Sequence, residues 1–407
     1  MHQQEKSKPE YPVEVGLLTG GGDKPYALGI ASALSGQGIR LDFVGSDDVN
    51  APELHQMPSL TFLNLRGNQR QDVGALQKIG RVLVYYFRLL RYTATAKPRI
   101  LHILWNERLE YFDRTLLMLF YKMVGKKIAY TAHNVNAGKR DANDSFLNRL
   151  TLRVQYRLAD HIFVHTEQMK RELQLEFRVP ENRVSVIPFG INSTVPNTNL
   201  SQAEARQTLG LPASAKALLF FGHIAPYKGL EYLIAALRVL CEKDDSYRLI
   251  IAGSPKGSEP YWRGIQEDLA QGNVREHIIE RIEFVPDAQT ELYFKAADVL
   301  VLPYTHVFQS GVLSLGYNFG LPVIAADVGA LREDILDGQT GYIFRPKDPK
   351  DLVNSVEMYF ASDLYKNLEH RRPQIQSYAR ERYSWDKVGE VTKKVYELLL
   401  ERMRCSA

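Results

Sequence analysis

Hydrophobic and polar positions fall into two blocks of the same rhythm. Short apolar runs are each followed by a glycine-rich or polar turn and then by a stretch with helical spacing. Unbroken apolar runs of this length are those of parallel strands covered on both faces. In the first block the runs Val13–Leu18, Leu41–Val44, Ile100–Trp105, Ile128–Thr131 and His161–His165 predict strands. Helical patterns cover Tyr26–Ser35, Arg114–Met123 and Phe146–Leu158. In the second block ALLFFGHIAPYKGLEYLIAALRVL reads as strand, loop and helix, and RLIIAGSPKGSE as a strand with a glycine turn. RIEFVPDAQTELYFKAADVLVL gives strand, helix and strand, and PVIAA closes the series. Pro, Asn, Ser and Thr crowd residues 192–201 and mark a linker. The predicted class is α/β: two doubly wound domains, residues 1–195 and 196–384, facing across a cleft. A helical tail over residues 385–407 returns to the first domain.

Function turns on Pro303–Asp334, PYTHVFQSGVLSLGYNFGLPVIAADVGALRED. The strand AADVLVL leads into Gln309, Ser310 and Gly311, and a helical pattern runs from Val312 to Phe319. A helix start behind a glycine turn presents unpaired N–H groups to an anion. Ser310, Gly311 and Val312 therefore either hold a diphosphate or make one more strand-to-helix turn. A comparable turn, Gly20-Gly21-Gly22-Asp23, follows the first strand but lacks the GxGxxG spacing. His133 ends IAYTAH beyond a strand, where open parallel sheets bind ligands, and either does chemistry or closes the loop. The loop FGHIAPYKG sets Gly222, His223, Lys228 and Gly229 between a strand and a helix. A lysine there neutralises a leaving diphosphate, unless it is merely a solvated loop residue.

Residues 76–92, LQKIGRVLVYYFRLLRY, form an amphipathic helical pattern with Ile79, Leu83, Tyr86 and Leu90 on one side. Lys78, Arg81, Arg88 and Arg91 sit largely on another, so residues 78–92 either meet an anionic membrane surface or pack on the sheet. Composition adds exclusions. The net charge of +4 does not call for nucleic acid, and 45% hydrophobic with 24% charged residues is ordinary for a globular protein. Cys241 and Cys405, far apart, make neither a disulfide framework nor a zinc site and point to a reducing compartment. The polar start MHQQEKSKPEYP lacks a signal peptide's apolar core, and no stretch approaches ~18 apolar residues. The expected location is the cytoplasm, at the inner face of the membrane.

Taken together and in order, these motifs resemble a retaining glycosyltransferase of the GT-B fold, family 4 type. The resemblance rests on Gly21-Gly22, on His133 after the fourth predicted strand, and on ADHIFVHT and VIPFGIN at the domain junction. In the second block it rests on FFGHIAPYKGLEYLI, LIIAGS, FVPDAQTELYFKAADVLVLPY, FGLPVIAADVGALRED and DGQTGYIF. It implies two Rossmann-like domains, with a nucleotide-diphosphate sugar on the second and a glycan or lipid-linked acceptor on the first. Transfer of a hexose with retention, without a metal or other cofactor, follows from the same likeness. So do the roles: Lys228 on the donor phosphates, and Gly21, Gly22, Gln309, Ser310, Gly311 and Val312 around the diphosphate. Gly253 would flank the nucleoside, with Val285 and Asp287 at the base. His133 would contact the transferred sugar or position the acceptor, with Asp23 and Asn134 on the acceptor side.

The sequence departs from the family pattern at three positions. An arginine usual five residues before the lysine is His223, and the neighbouring Ala225 supplies no cation. Two glutamates usual around the phosphate turn are Val307 and Leu315. Leucine cannot accept hydrogen bonds from ribose hydroxyls, which leaves Gln309, Tyr317 or Asn318 to serve. A second reading follows: a weak or inactive paralogue that binds a nucleotide-sugar or scaffolds a partner transferase.

Overall fold

The computed structural model describes residues 13–70, 74–140, 144–190, 195–270 and 272–405. The polar start and part of the expected linker, residues 192–194, lie outside them. The chain divides into two compact units, Met1–Gly190 with Trp385–Ala407, and Ile191–Ser384.

The first unit is built on a seven-stranded parallel sheet. Its strands are β1 (Glu14–Leu18), β2 (Arg40–Gly45), β3 (Leu60–Asn64), β4 (Ile100–Ile103), β5 (Lys127–Thr131), β6 (His161–Val164) and β7 (Val184–Val186). Their order is β3-β2-β1-β4-β5-β6-β7. The two edge strands escape the sequence pattern. β3 is only partly buried and β7 has three residues, so neither shows an apolar run. His133 accordingly follows the fifth strand, not the fourth. The helices are α1 (Lys24–Gly36), α2 (Ala75–Thr95), α3 (Met118–Met123), α4 (Phe146–Leu158) and α5 (Glu167–Phe177). The path steps one way from β1 to β2 and the other way from β3 through to β7. Right-handed crossovers then place α1 on one face and α2 to α5 on the opposite one.

The terminal helix, Trp385–Cys405, packs beside α1, where Lys393 Nζ donates to the Gln37 carbonyl at 3.0 Å. A side chain on Gly389 would collide with the Ala33 carbonyl, so the two helices approach closely only because that position is glycine. Tyr396 Oη meets His102 Nδ1 at 2.6 Å in the core.

Helix α2 reverses one expectation. The residues that face the sheet are Tyr85, Tyr86, Leu89 and Thr93. Tyr86 Oη donates to Asp113 Oδ1 at 2.7 Å and Tyr92 Oη to Asp42 Oδ2 at 2.9 Å. Ile79 and Leu83, expected on the same side as Tyr86, are 56% and 63% exposed.

The second unit holds a six-stranded parallel sheet in the order β10-β9-β8-β11-β12-β13. These are β8 (Lys216–Phe221), β9 (Tyr247–Ala252), β10 (Ile278–Arg281), β11 (Val299–Leu302), β12 (Val323–Ala326) and β13 (Gly341–Phe344). Helices α6 (Leu230–Lys243) and α7 (Gly311–Asn318) follow β8 and β11. Leu218, Ile250, Leu300 and Ile324 are fully buried, as strands covered on both faces require. The loops after β8, β9 and β11 therefore share one end of the sheet.

Candidate active site

In the second unit the basic loop and the start of α7 are joined by a side chain the motif reading omitted. Lys228 closes the short 3-10 turn Pro226–Lys228 and is buried. Its Nζ donates to Tyr304 Oη at 2.6 Å and lies 3.9 Å from the centre of that ring. Tyr304 Oη is in turn 3.4 Å from Ser310 Oγ. Burial pushes the phenol well above its ordinary range, so it stays protonated as it accepts from the ammonium. Ser310 caps α7, its Oγ accepting from the Leu313 N–H at 3.4 Å. A lysine, a neutral phenol and a helix start thus form one polar chain.

The neighbouring loops are zipped to it through the backbone. The Thr305 N–H donates to the Tyr227 carbonyl at 2.8 Å, and the Ile224 N–H to the Ser254 carbonyl at 2.9 Å. Gly253 sits so close to Gly222 that a Cβ would lie 1.6 Å from the Gly222 oxygen. Gly222 has φ +100° and faces Val312. Gly222, Lys228, Gly253, Ser310, Gly311 and Val312 thus gather at the carboxyl ends of β8, β9 and β11. His223 is exposed near the Glu259 carboxylate, and Gln309 is half-buried just before the helix cap. Val285 and Asp287 stand one strand further out, beyond β10; Val285 packs on the core and Asp287 opens the helix Asp287–Ala296.

One suggested substitute for the missing glutamate is corrected. Tyr317 is fully buried and its Oη donates to Thr340 Oγ1 at 2.8 Å, so it serves the core. Leu315 is itself a core residue, and Asn318 lends its carbonyl to Gln376 Nε2 at 3.1 Å. Lys256, exposed in the turn after β9, was passed over, although SPKG follows a strand end as directly as APYKG does.

In the first unit the three glycines after β1 are explained by what presses on them. A Cβ on Gly20 would lie 2.2 Å from the Trp105 carbonyl oxygen, and one on Gly22 2.0 Å from the Trp105 indole. At Gly21, φ is +72° and a Cβ would meet Arg66 Nη1 at 2.0 Å. Asp23 caps α1, with Oδ1 accepting from the Tyr26 N–H at 2.8 Å. The side chains of Arg66 and Glu107 are 9% and 8% exposed, Nη1 to Oε2 at 3.4 Å, and Tyr85 Oη donates to the other Glu107 oxygen. Burial raises the Glu107 carboxyl and Arg66 opposes that rise.

His133 lies in the same neighbourhood. Its ring stacks on Trp105 at 4.2 Å with 6° between planes and meets Tyr26 edge-on at 4.7 Å. Its Nδ1 is 3.1 Å from His165 Nε2, and His165 Nδ1 is 3.2 Å from the Ile187 carbonyl. A carbonyl only accepts, so His165 carries its proton on Nδ1 and receives one from His133 Nδ1. Among the described residues Nε2 of His133 has no hydrogen-bond partner. Burial, then the neighbouring His165, hold His133 well below the usual histidine range; the Leu104 carbonyl opposes weakly. Burial brings His165 down to about 4. The ring is therefore neutral, set as a hydrogen-bonding group rather than a cation. Asn134 follows it, half-buried. Trp105, Arg66 and Glu107 were not singled out, although each follows the carboxyl end of β4 or β3, the rule that found His133.

Residues 20–195 match the description "Glycosyltransferase Family 4" and residues 215–362 match "Glycosyl transferases group 1". The chain is 30% identical over 242 residues to an uncharacterized glycosyltransferase of Methanocaldococcus jannaschii, covering 58% of this chain and 60% of that one. It is 24% identical to the D-inositol 3-phosphate glycosyltransferase of Thermobispora bispora over 94% of this chain and 91% of the relative. In fold it resembles the sucrose-phosphate synthase of Thermosynechococcus elongatus, with TM-score 0.76, 18% identity, and 96% and 100% of the two chains covered. Anabaena HepE in complex with UDP and glucose gives TM-score 0.72 at 16% identity, covering 95% and 100%. With one domain of the pair matched in each half, the chain belongs to the family 4, group 1 glycosyltransferases of GT-B fold.

Proposed function

We propose that the protein transfers a hexose, with retention and without a metal, from a nucleotide-diphosphate sugar to a hydroxyl of a glycan or lipid-linked acceptor in polysaccharide biosynthesis. The observation that carries this is the chain Lys228–Tyr304–Ser310, which sets an ammonium beside a helix start at the carboxyl ends of three strands. In this reading Lys228 and the N–H groups of Ser310, Gly311 and Val312 stabilise the departing diphosphate. Lys256 is a second cation available on the same rim in the absence of the family's arginine. Gly253, Val285 and Asp287 line the nucleoside side, and His223 and Gln309 border the phosphates. In the first unit Gly21 and Gly22 serve the donor phosphates, and Asp23 and Asn134 serve the acceptor. His133, neutral and with Nε2 unpartnered among the described residues, takes a hydroxyl of the transferred sugar. For a retaining reaction the leaving phosphate oxygen accepts the acceptor proton, so no side-chain base is needed. Titrating UDP, GDP and ADP compounds by thermal shift, with nucleotide release measured over a donor panel and the product anomer read by NMR, tests the proposal. An inverted product or absence of turnover with every donor would remove it.

The paralogue reading has one specific support. Leu315, where a ribose-binding glutamate is usual, is committed to the core. Donor binding without nucleotide release would favour it. Among the described residues no helix is long and apolar enough to cross a membrane. We place the enzyme in the cytoplasm, with a peripheral contact through residues 78–92 at the membrane's inner face.

A further inference from the structure

We infer that the outer side of the layer formed by α2, α3 and α4 is a docking surface for an anionic lipid membrane. This rests on the reading of residues 78–92 as a membrane contact and extends it to two further helices. The observation is three outward apolar stripes on neighbouring helices. On α2, Leu76, Ile79, Leu83 and Phe87 recur at helical spacing on the side away from the sheet, Leu76 87% and Phe87 67% exposed. The π-helical turn Asp113–Leu117 runs directly into α3, and Leu116, Leu119 and Met123 make a second stripe, Met123 77% exposed. On α4, Phe146, Leu147 and Leu150 make a third, Phe146 80% exposed.

The three helices are tied side by side. Tyr86 of α2 binds Asp113, and Arg114 Nη1 donates to Asn148 Oδ1 of α4 at 2.8 Å. The stripes therefore belong to one layer, and all three point away from the sheet. Together the ten side chains expose on the order of 1,000 Å², where a soluble monomer's largest apolar patch is about 300–600 Å².

Charge selects the occupant. Helices α2 and α4 carry four and three cations and no acid. Residues 75–158 hold sixteen lysines and arginines against five acids, a net +11, while the whole chain is only +4. Arg88, Arg91, Arg153 and Arg157 are exposed, and none has a carboxylate partner among the described residues. A second copy would set this cationic face against itself, since a two-fold contact joins identical patches. Leucine, methionine and phenylalanine stripes edged by arginines suit acyl chains beneath acidic headgroups.

The test is co-sedimentation of the full chain with vesicles of phosphatidylcholine alone and vesicles containing phosphatidylglycerol. Binding should favour the acidic vesicles by about ten-fold or more. Arg88→Gln with Arg91→Gln should weaken it about five-fold per cation removed. Leu83→Ser with Phe87→Ser, and separately Leu116→Ser with Met123→Ser, should each cost about ten-fold or more. These residues are exposed, and an unchanged nucleotide-induced thermal shift confirms that each variant is folded. Equal binding to both vesicles, or self-association that the same substitutions abolish without vesicle binding, would overturn the proposal. Full binding after the Leu116 and Met123 substitutions would overturn the extension and leave α2 alone. Vesicle binding intact in a chain that binds no nucleotide would instead sink the donor-site reading.

Discussion

Lys228→Met separates a lysine that holds the fold from one that serves the reaction. Lys228 is 7% exposed, so its ammonium has given up most of its hydration. Tyr304 returns part of that cost through one hydrogen bond at 2.6 Å and a ring face at 3.9 Å. Methionine keeps a stem of similar length and an attractive contact with the ring, and it carries no charge to desolvate. Replacing a buried charge by a well-packed apolar group is often neutral or stabilising, so the unfolding free energy should stay within about 1 kcal/mol of the parent or rise. The reaction has no such substitute. Losing one preorganised donor to a developing oxyanion costs about 2.7–4 kcal/mol, or 10²–10³ in kcat. Thermal unfolding without ligand, alongside nucleotide release under saturating donor, measures both sides. Turnover within a few-fold of the parent would refute the catalytic assignment. Destabilisation beyond about 2 kcal/mol would show that the lysine is chiefly structural.

Tyr304→Phe keeps the ring and removes the hydroxyl that accepts from the buried Lys228 ammonium; losing a hydrogen bond to a charged group should cost about 1.5–3 kcal/mol of stability in a melt. In a double-mutant cycle with Lys228→Met its effect on turnover should be far from additive, and simple additivity would mean the two do not act together. His165 has a folded-state value near 4 against an ordinary 6.5, lowered by burial. Its contribution is complete above pH 6.5 and is lost as pH falls towards about 4, on the order of 3 kcal/mol in all. Melts across that window should therefore slope more gently for His165→Gln than for the parent; parallel slopes would reject the assignment. Gly253→Ala forces a Cβ to 1.6 Å from the Gly222 oxygen and should cost about 1–3 kcal/mol or more, together with nucleotide binding. Gly264→Ala, at an exposed helical position with no atom of the described residues within 4 Å, should stabilise by up to about 1 kcal/mol, and the pair of melts checks both.

Strands buried on both faces were legible because they must be apolar at every position, as VLVL at β11 and VIAA at β12 are. β3 was not, since an edge strand needs only partial cover and LTFLN gives no continuous signal. α2 shows why periodicity can mislead. It is apolar on two sides, and nothing in the spacing says whether Tyr86 or Leu83 turns inward. The choice is made by polar anchors, Asp113 for Tyr86 and Asp42 for Tyr92, that are distant in sequence. The rim residues of the second unit were legible one by one, because each follows a strand end. Their linkage was not: Tyr304 pairs with a lysine 76 positions away, and only folding brings the two together. Trp105 and Arg66 were hidden for a related reason. The glycines they press on look like a ligand loop in sequence, whereas the structure shows bulky neighbours that also require glycine there.

The first unit is discontinuous in sequence, and this bears on how the polypeptide is made. Val388, Val395, Tyr396 and Leu399 belong to the same core as Val15 and Ile30, and Trp385 presses on Gly29 and Gly190. A ribosome delivers these residues only after the whole second unit. Until then the nascent first half has an open flank, with His102 lacking its phenol, while the sequence-continuous middle of the chain can already settle. Emergence of the terminal helix, rather than of the amino-terminal half, is thus the moment at which that half can close.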